Sequence, residues 1–121
     1  MGKILIVSED GFMGELLRLA LADLDAEVRC VPNVGRMTEL CRRTNFDVVV
    51  LLGAGSFWGG SDPARLLRPR GMRRPVIYVL AWQQSEHTVM SLLEAGADQY
   101  MTFPVNLYRL RRKIIEELRS L

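Results

Sequence analysis

Five short apolar runs, each followed by a stretch that repeats its apolar residues at helical spacing, constrain this chain more than anything else in it. That alternation predicts a parallel sheet with helices on both faces. The strand candidates are Lys3–Val7, Glu27–Val31, Asp47–Leu52, Val76–Ala81 and Gln99–Thr102. The first, third and fourth are continuous aliphatic runs, as central strands covered on both faces require. The second alternates and suits an edge; the fifth is short. At 121 residues the chain accommodates one domain with one core.

The helix candidates lie between the runs. Gly11–Leu24 carries Met13, Leu16, Leu17, Ala20 and Leu24 at helical spacing. Val34–Arg43 follows Asn33, a suitable N-cap. Asp62–Leu67 opens on an Asp cap with Pro63 at the first helical position and is stopped by Pro69. Ser85–Ala95 and Leu107–Leu118 complete the set.

A quarter of the residues are charged and the formal net charge is only +2, so no global field drives binding to nucleic acid or membrane. The apolar start Ile4–Val7 is too short for a signal sequence or a membrane span, and a cytoplasmic location is expected. Cys30 and Cys41 lack metal-ligand spacing and are expected to be buried, reduced thiols.

The segment Glu94–Pro104, E-A-G-A-D-Q-Y-M-T-F-P, is the most specific in the chain. A helix ends at Ala95, Gly96 supplies a left-handed C-cap, a short strand follows, and Phe103-Pro104 makes a tight turn open to a cis bond. With the alternating elements, this segment resembles the last βα unit of response-regulator receiver (CheY-like) domains, where the turn normally reads Lys-Pro. The resemblance covers essentially the whole chain. It implies a flavodoxin-like (βα)5 doubly wound sheet of order 2-1-3-4-5, with function at the carboxyl ends of the central strands. It also implies a two-component-type pathway, a protein partner, and any nucleic-acid contact only through an output domain outside residues 1–121.

Receivers place an acidic pair, a phospho-accepting aspartate, a Thr or Ser, and a lysine at four strand ends, where they hold Mg²⁺ and neutralise the phosphoryl group. Here I-L-I-V-S-E-D offers Ser8, Glu9 and Asp10, F-D-V-V-V-L-L-G puts Leu52 at the acceptor position, and R-P-V-I-Y-V-L-A-W puts Ala81 (Leu80 if the register slips by one) at the hydroxyl position. Phe103 replaces the lysine. A leucine accepts no phosphoryl group and anchors no cation. The expectation is a degenerate pseudo-receiver pocket turned over to packing, with no catalytic residue, metal or cofactor, that signals without aspartyl phosphorylation. Tyr100 matches the family's switch aromatic, left without the hydroxyl that would pull it inward. The alternatives are a small-ligand sensor lined by Ser8, Glu9, Phe57, Trp58 and Trp82, or phosphorylation at a displaced acceptor such as Ser56.

The loop Gly53-Ala54-Gly55-Ser56-Phe57-Trp58-Gly59-Gly60 is no nucleotide P-loop, because no Gly-Lys-Ser/Thr follows. Phe57 and Trp58 would form a lip for a ligand or partner, or fold over the apolar pocket with Trp82. His87 stands alone on its helix and suits the surface. Arg65, Arg68, Arg70, Arg73 and Arg74 crowd one region without interleaved aromatics, a solvated positive face by default. The last helix carries Leu107, Leu110, Ile114, Leu118 and Leu121 as the stripe that seats it on the sheet. Beside that stripe lie Arg111, Arg112 and Lys113. The resemblance implies a homodimer through the fourth helix, fifth strand and fifth helix, in which such bases meet acids such as Asp98. The first helix is greasier than one buried face requires, with Phe12, Leu19 and Leu21 added to its stripe; a partner surface or a wide buried face would both account for it.

Overall fold

The three continuous aliphatic runs lie side by side at the centre of one parallel sheet. The computed structural model describes residues 2–53, 74–82 and 84–120. Ser56, Phe57, Trp58, the expected helix Asp62–Leu67, the arginines at 65, 68, 70 and 73, and Leu121 lie outside the described residues. The strands are β1 (Gly2–Ser8), β2 (Ala26–Val31), β3 (Val48–Leu52), β4 (Val76–Ala81) and β5 (Gln99–Thr102). They pair in the order β2-β1-β3-β4-β5, every pair parallel, which is the flavodoxin-like CheY arrangement. The helices among the described residues are α1 (Gly11–Leu21), α2 (Val34–Cys41), α3 (Glu86–Glu94) and α4 (Leu107–Arg119).

Successive strand side chains point to opposite faces, so a strand covered on both sides must be apolar at every position. Leu5, Val7, Val49, Leu51, Ile77 and Val79 pack on one face with Met37 and Cys41 of α2 and Leu92 of α3. Ile4, Ile6, Val48, Val50, Tyr78 and Leu80 pack on the other with Leu17 and Leu21 of α1 and Leu110 and Ile114 of α4. β2 is the exposed edge its alternation predicts.

Each of the described helices starts on a side-chain cap that satisfies otherwise orphaned backbone donors. Asp10, Asn33, Ser85 and Asn106 accept from the first turns of α1, α2, α3 and α4 respectively. After α3, Gly96 takes the left-handed conformation expected of it (φ 114°) and the Phe103-Pro104 bond is cis.

Four expectations are corrected. α1 ends at Leu21 rather than Leu24, because Ala22 caps onto Leu19 and Leu24 turns back onto Leu21. Its buried stripe is Gly14, Leu17 and Leu21, so Leu21 is core while Leu16, Phe12 and Leu19 are exposed. Gly14 lets α1 approach the sheet closely, since a Cβ there would stand 2.8 Å from Cys30 Sγ and 3.3 Å from Ser8 Cβ. α2 likewise stops at Cys41, where Arg42 caps onto Thr38 and Leu40. Finally, Cys30 is exposed on the edge strand, and only Cys41 is buried.

Candidate functional site

Parallel register brings the expected strand ends together. Ser8 is the partner of Leu52, Leu52 that of Leu80, and Ala81 that of Thr102. Beyond the ladder, Gly53 N donates to Leu80 O (2.9 Å) and Phe103 N to Ala81 O (2.9 Å), carrying the pairing into the connecting segments. Ser8, Glu9, Asp10, Leu52, Ala81, Trp82 and Phe103 thereby line one cavity of about 320 Å³. A second cavity of about 410 Å³ adjoins it on the α1 side and shares Asp10, Met13, Leu52, Trp82 and Phe103 with it. Both positions considered for the missing hydroxyl are apolar and belong to the site: Ala81 faces the smaller cavity and Leu80 the larger.

The Ser8 hydroxyl and one oxygen of Asp10 are committed locally. Ser8 is buried, and its hydroxyl donates to the Asp10 carbonyl (2.8 Å). Asp10 turns its Oδ1 to the first turn of α1, accepting from Phe12 N (2.9 Å) and Met13 N (3.1 Å). Glu9 is exposed. A magnesium ion needs near-octahedral oxygen ligands and a second protein anchor. With Leu52 at the strand-three position, these residues do not fit one, and no step through a metal follows.

Trp82 is 71% exposed and packs on Phe103, with ring centroids 5.4 Å apart at 54°. Phe103 is the partner that the described residues provide for it. Tyr100 is half-buried; its hydroxyl donates to Trp82 O (3.1 Å) and accepts from Gln84 N (3.2 Å), so it fastens the β4–α3 connection. His87 is exposed, as expected.

Two of the four residues proposed for a dimer face have partners in their own chain. Asp98 accepts from Ile77 N at Oδ2 (2.7 Å) and pairs through Oδ1 with Arg74 (3.1 Å), which also donates to Gly96 O. Arg111 holds both oxygens of Asp23 (2.7 and 3.1 Å) and the Ala20 carbonyl (2.5 Å), joining α4 to the end of α1 and keeping the Asp23 carboxyl below its ordinary pKa. Arg112 is exposed and Lys113 half-buried.

The residues of the site that the sequence did not single out are Met13, Leu16, Leu17, Gln84, Val105 and Leu107. Periodicity alone assigns the first three, with Leu107, to core stripes. Their one signal was a greasy surface on α1 wider than a single packed face.

No protein-family model matches the chain. It is 32% identical over 120 residues to the response regulator protein PilR of Pseudomonas aeruginosa, covering 97% of this chain and 26% of that protein. It is 32% identical over 117 residues to the probable transcriptional regulatory protein SilR of Salmonella typhimurium, covering 97% of this chain and 51% of that one. The chain thus spans about a quarter of the first relative and half of the second. Among solved structures, the BeF3-activated DrrB receiver domain superposes with a TM-score of 0.82 at 24% identity, covering 98% of both chains. A CheY-like receiver domain protein from Methanospirillum hungatei JF-1 gives 0.82 at 24% identity, covering 99% of this chain and 95% of that one. No helix among the described residues is long and apolar enough to cross a membrane.

Proposed function

Taking the chain as a response-regulator receiver (CheY-like) domain, which its relatives and its fold support, we propose that it works in two-component-type signalling by protein–protein contact, without aspartyl phosphorylation and without enzymatic activity. One observation carries this reading: the row Ser8–Leu52–Leu80 across β1, β3 and β4 offers no acceptor carboxylate and no strand-three anchor for a metal ion, and Asp10 is engaged as a helix cap through Oδ1. Protein contact is favoured by the apolar side chains left on the surface, Phe12 (76% exposed) and Leu19 on α1 and Tyr108 on α4.

The test is intact-mass measurement after incubation with acetyl phosphate or phosphoramidate and Mg²⁺. The mass stays unchanged, in the wild type and in Leu52→Asp alike, because Ala81 and Phe103 still supply no group to neutralise a phosphoryl oxygen. A stoichiometric adduct on the wild type would mean a displaced acceptor and would overturn the proposal.

A further inference from the structure

The larger of the two cavities has its own character, and protein docking does not account for it. Its 410 Å³ falls within the roughly 300–1,000 Å³ span of small-molecule pockets. Leu17 and Leu80 are buried at its floor, and Trp82 and Leu107 are exposed at its mouth. Among its described lining residues Asp10 is the one charged side chain. Glu9, exposed, lies next to it and lines the adjoining cavity.

We propose that this cavity, between α1 and the segment joining β5 to α4, binds a small aromatic amine. Three features select that chemistry. The tilted Trp82–Phe103 pair presents aromatic faces to a ring, and its exposed indole is suited to a cation. The Leu17–Leu80 floor accepts an apolar body and no polar end. Asp10 uses Oδ1 for both backbone donors of α1, and a carboxylate has capacity for further donors at its second oxygen. The start of α1 carries partial positive charge, which Asp10 itself offsets; with Glu9 alongside, the mouth favours an ammonium over a carboxylate.

The test is a ¹⁵N–¹H NMR titration with phenethylamine, compared with 3-phenylpropanoate, an anion of the same shape. Phenethylamine shifts Met13, the Trp82 indole, Phe103 and Val105 saturably and binds about fivefold tighter than the anion, as expected of one charge contact near water. Asp10→Asn keeps the helix cap and removes the preference. Val105→Trp fills the cavity and abolishes the shifts; Leu107→Trp, at the exposed mouth, serves the same purpose should the first variant misfold. Equal binding of the two probes, or the absence of saturation at millimolar concentrations, overturns the proposal. So do shifts confined to Phe12, Leu19 and Tyr108, which would mark a protein-docking face instead.

Discussion

Leu51 and Leu52 are neighbours on one strand, yet they belong to two different regions of the molecule. Leu51 lies in the sheet's interior at 0% exposure, packed with the α2 and α3 side of the core. Leu52, one residue on, is half-buried at the carboxyl rim and lines both cavities. Ala81, the last residue of the next strand, and Trp82 just beyond it both line the smaller cavity, yet they differ as sharply, 3% against 71% exposed. The interior needs its apolar residues to fold. The rim residues Leu52 and Phe103 pack on the same core from one side and line both cavities with the other, so packing accounts for only part of their surface.

The comparison is tested most severely by placing one charge at both positions. Leu51→Asp buries an unpaired carboxylate, which costs several kcal/mol and exceeds much of a small domain's stability. No folded protein is expected by circular dichroism. Leu52→Asp has solvent within reach and should cost roughly 1–2 kcal/mol in a urea titration. If both variants unfold alike, the rim is core and the distinction fails.

A smaller effect is expected at high pH, and it separates the interior's two titratable groups from the rim. Burial pushes Cys41 up to about 11 and Tyr78 up to about 12. Both are acids held protonated by the fold. The stability they contribute is whole below pH 9 and is lost as pH rises from about 9 through about 12. Unfolding free energies from urea titrations should be flat from pH 7 to 8.5 and fall above it, by roughly 3–4 kcal/mol near pH 11. Tyr78→Phe and Cys41→Val should each flatten the fall; a slope that neither alters would place its cause elsewhere.

At the opposite, amino end of the sheet the polar residues bind backbone rather than line a cavity. Asp47 Oδ2 accepts from Lys3 N (2.8 Å), and Asp98 Oδ2 from Ile77 N (2.7 Å). Asp98→Ala strands that amide and releases Arg74, and should cost about 1–2 kcal/mol by chemical denaturation. A negligible cost would mean that water replaces the carboxylate, and that this end is as permissive as the other.

How far the fold was legible follows from the same contrast. β4 and β5 have the limits that their apolar runs predict, and the Gly96 cap and the edge position of β2 were visible in residue type alone. The coming together of Ser8, Leu52, Ala81 and Phe103 was visible because parallel strands align their carboxyl ends. The end of α1 was not. Periodicity continues to Leu24, but the helix closes in a local turn, Ala22 N on the Leu19 carbonyl and Leu24 N on that of Leu21, and Arg111, 91 positions from Ala20, binds the Ala20 carbonyl and Asp23 beside it. The larger cavity was equally hidden. Leu16 and Leu17 look alike to a periodicity argument, and only the face that α1 turns to the sheet, Gly14, Leu17 and Leu21, separates the exposed one from the buried one. Nor does composition show that Asp98 and Arg111 spend their charges inside the chain.

The mildest prediction concerns Trp82. An aromatic pair contributes about 0.5–1.5 kcal/mol beyond the area it buries, and an indole that is 71% exposed buries little. Trp82→Ala should therefore lower stability by less than about 1 kcal/mol, with an unchanged urea m-value, whereas Leu51→Ala should cost about 3 kcal/mol. The Tyr100 hydroxyl bonds the backbone carbonyl at position 82, not the indole, so the β4–α3 connection survives the truncation. If Trp82→Ala costs as much as Leu51→Ala, the indole is structural, and its exposed ring cannot be assigned to recognition. A near-neutral result leaves a large aromatic held at the mouth of an apolar cavity for which the fold itself has no use.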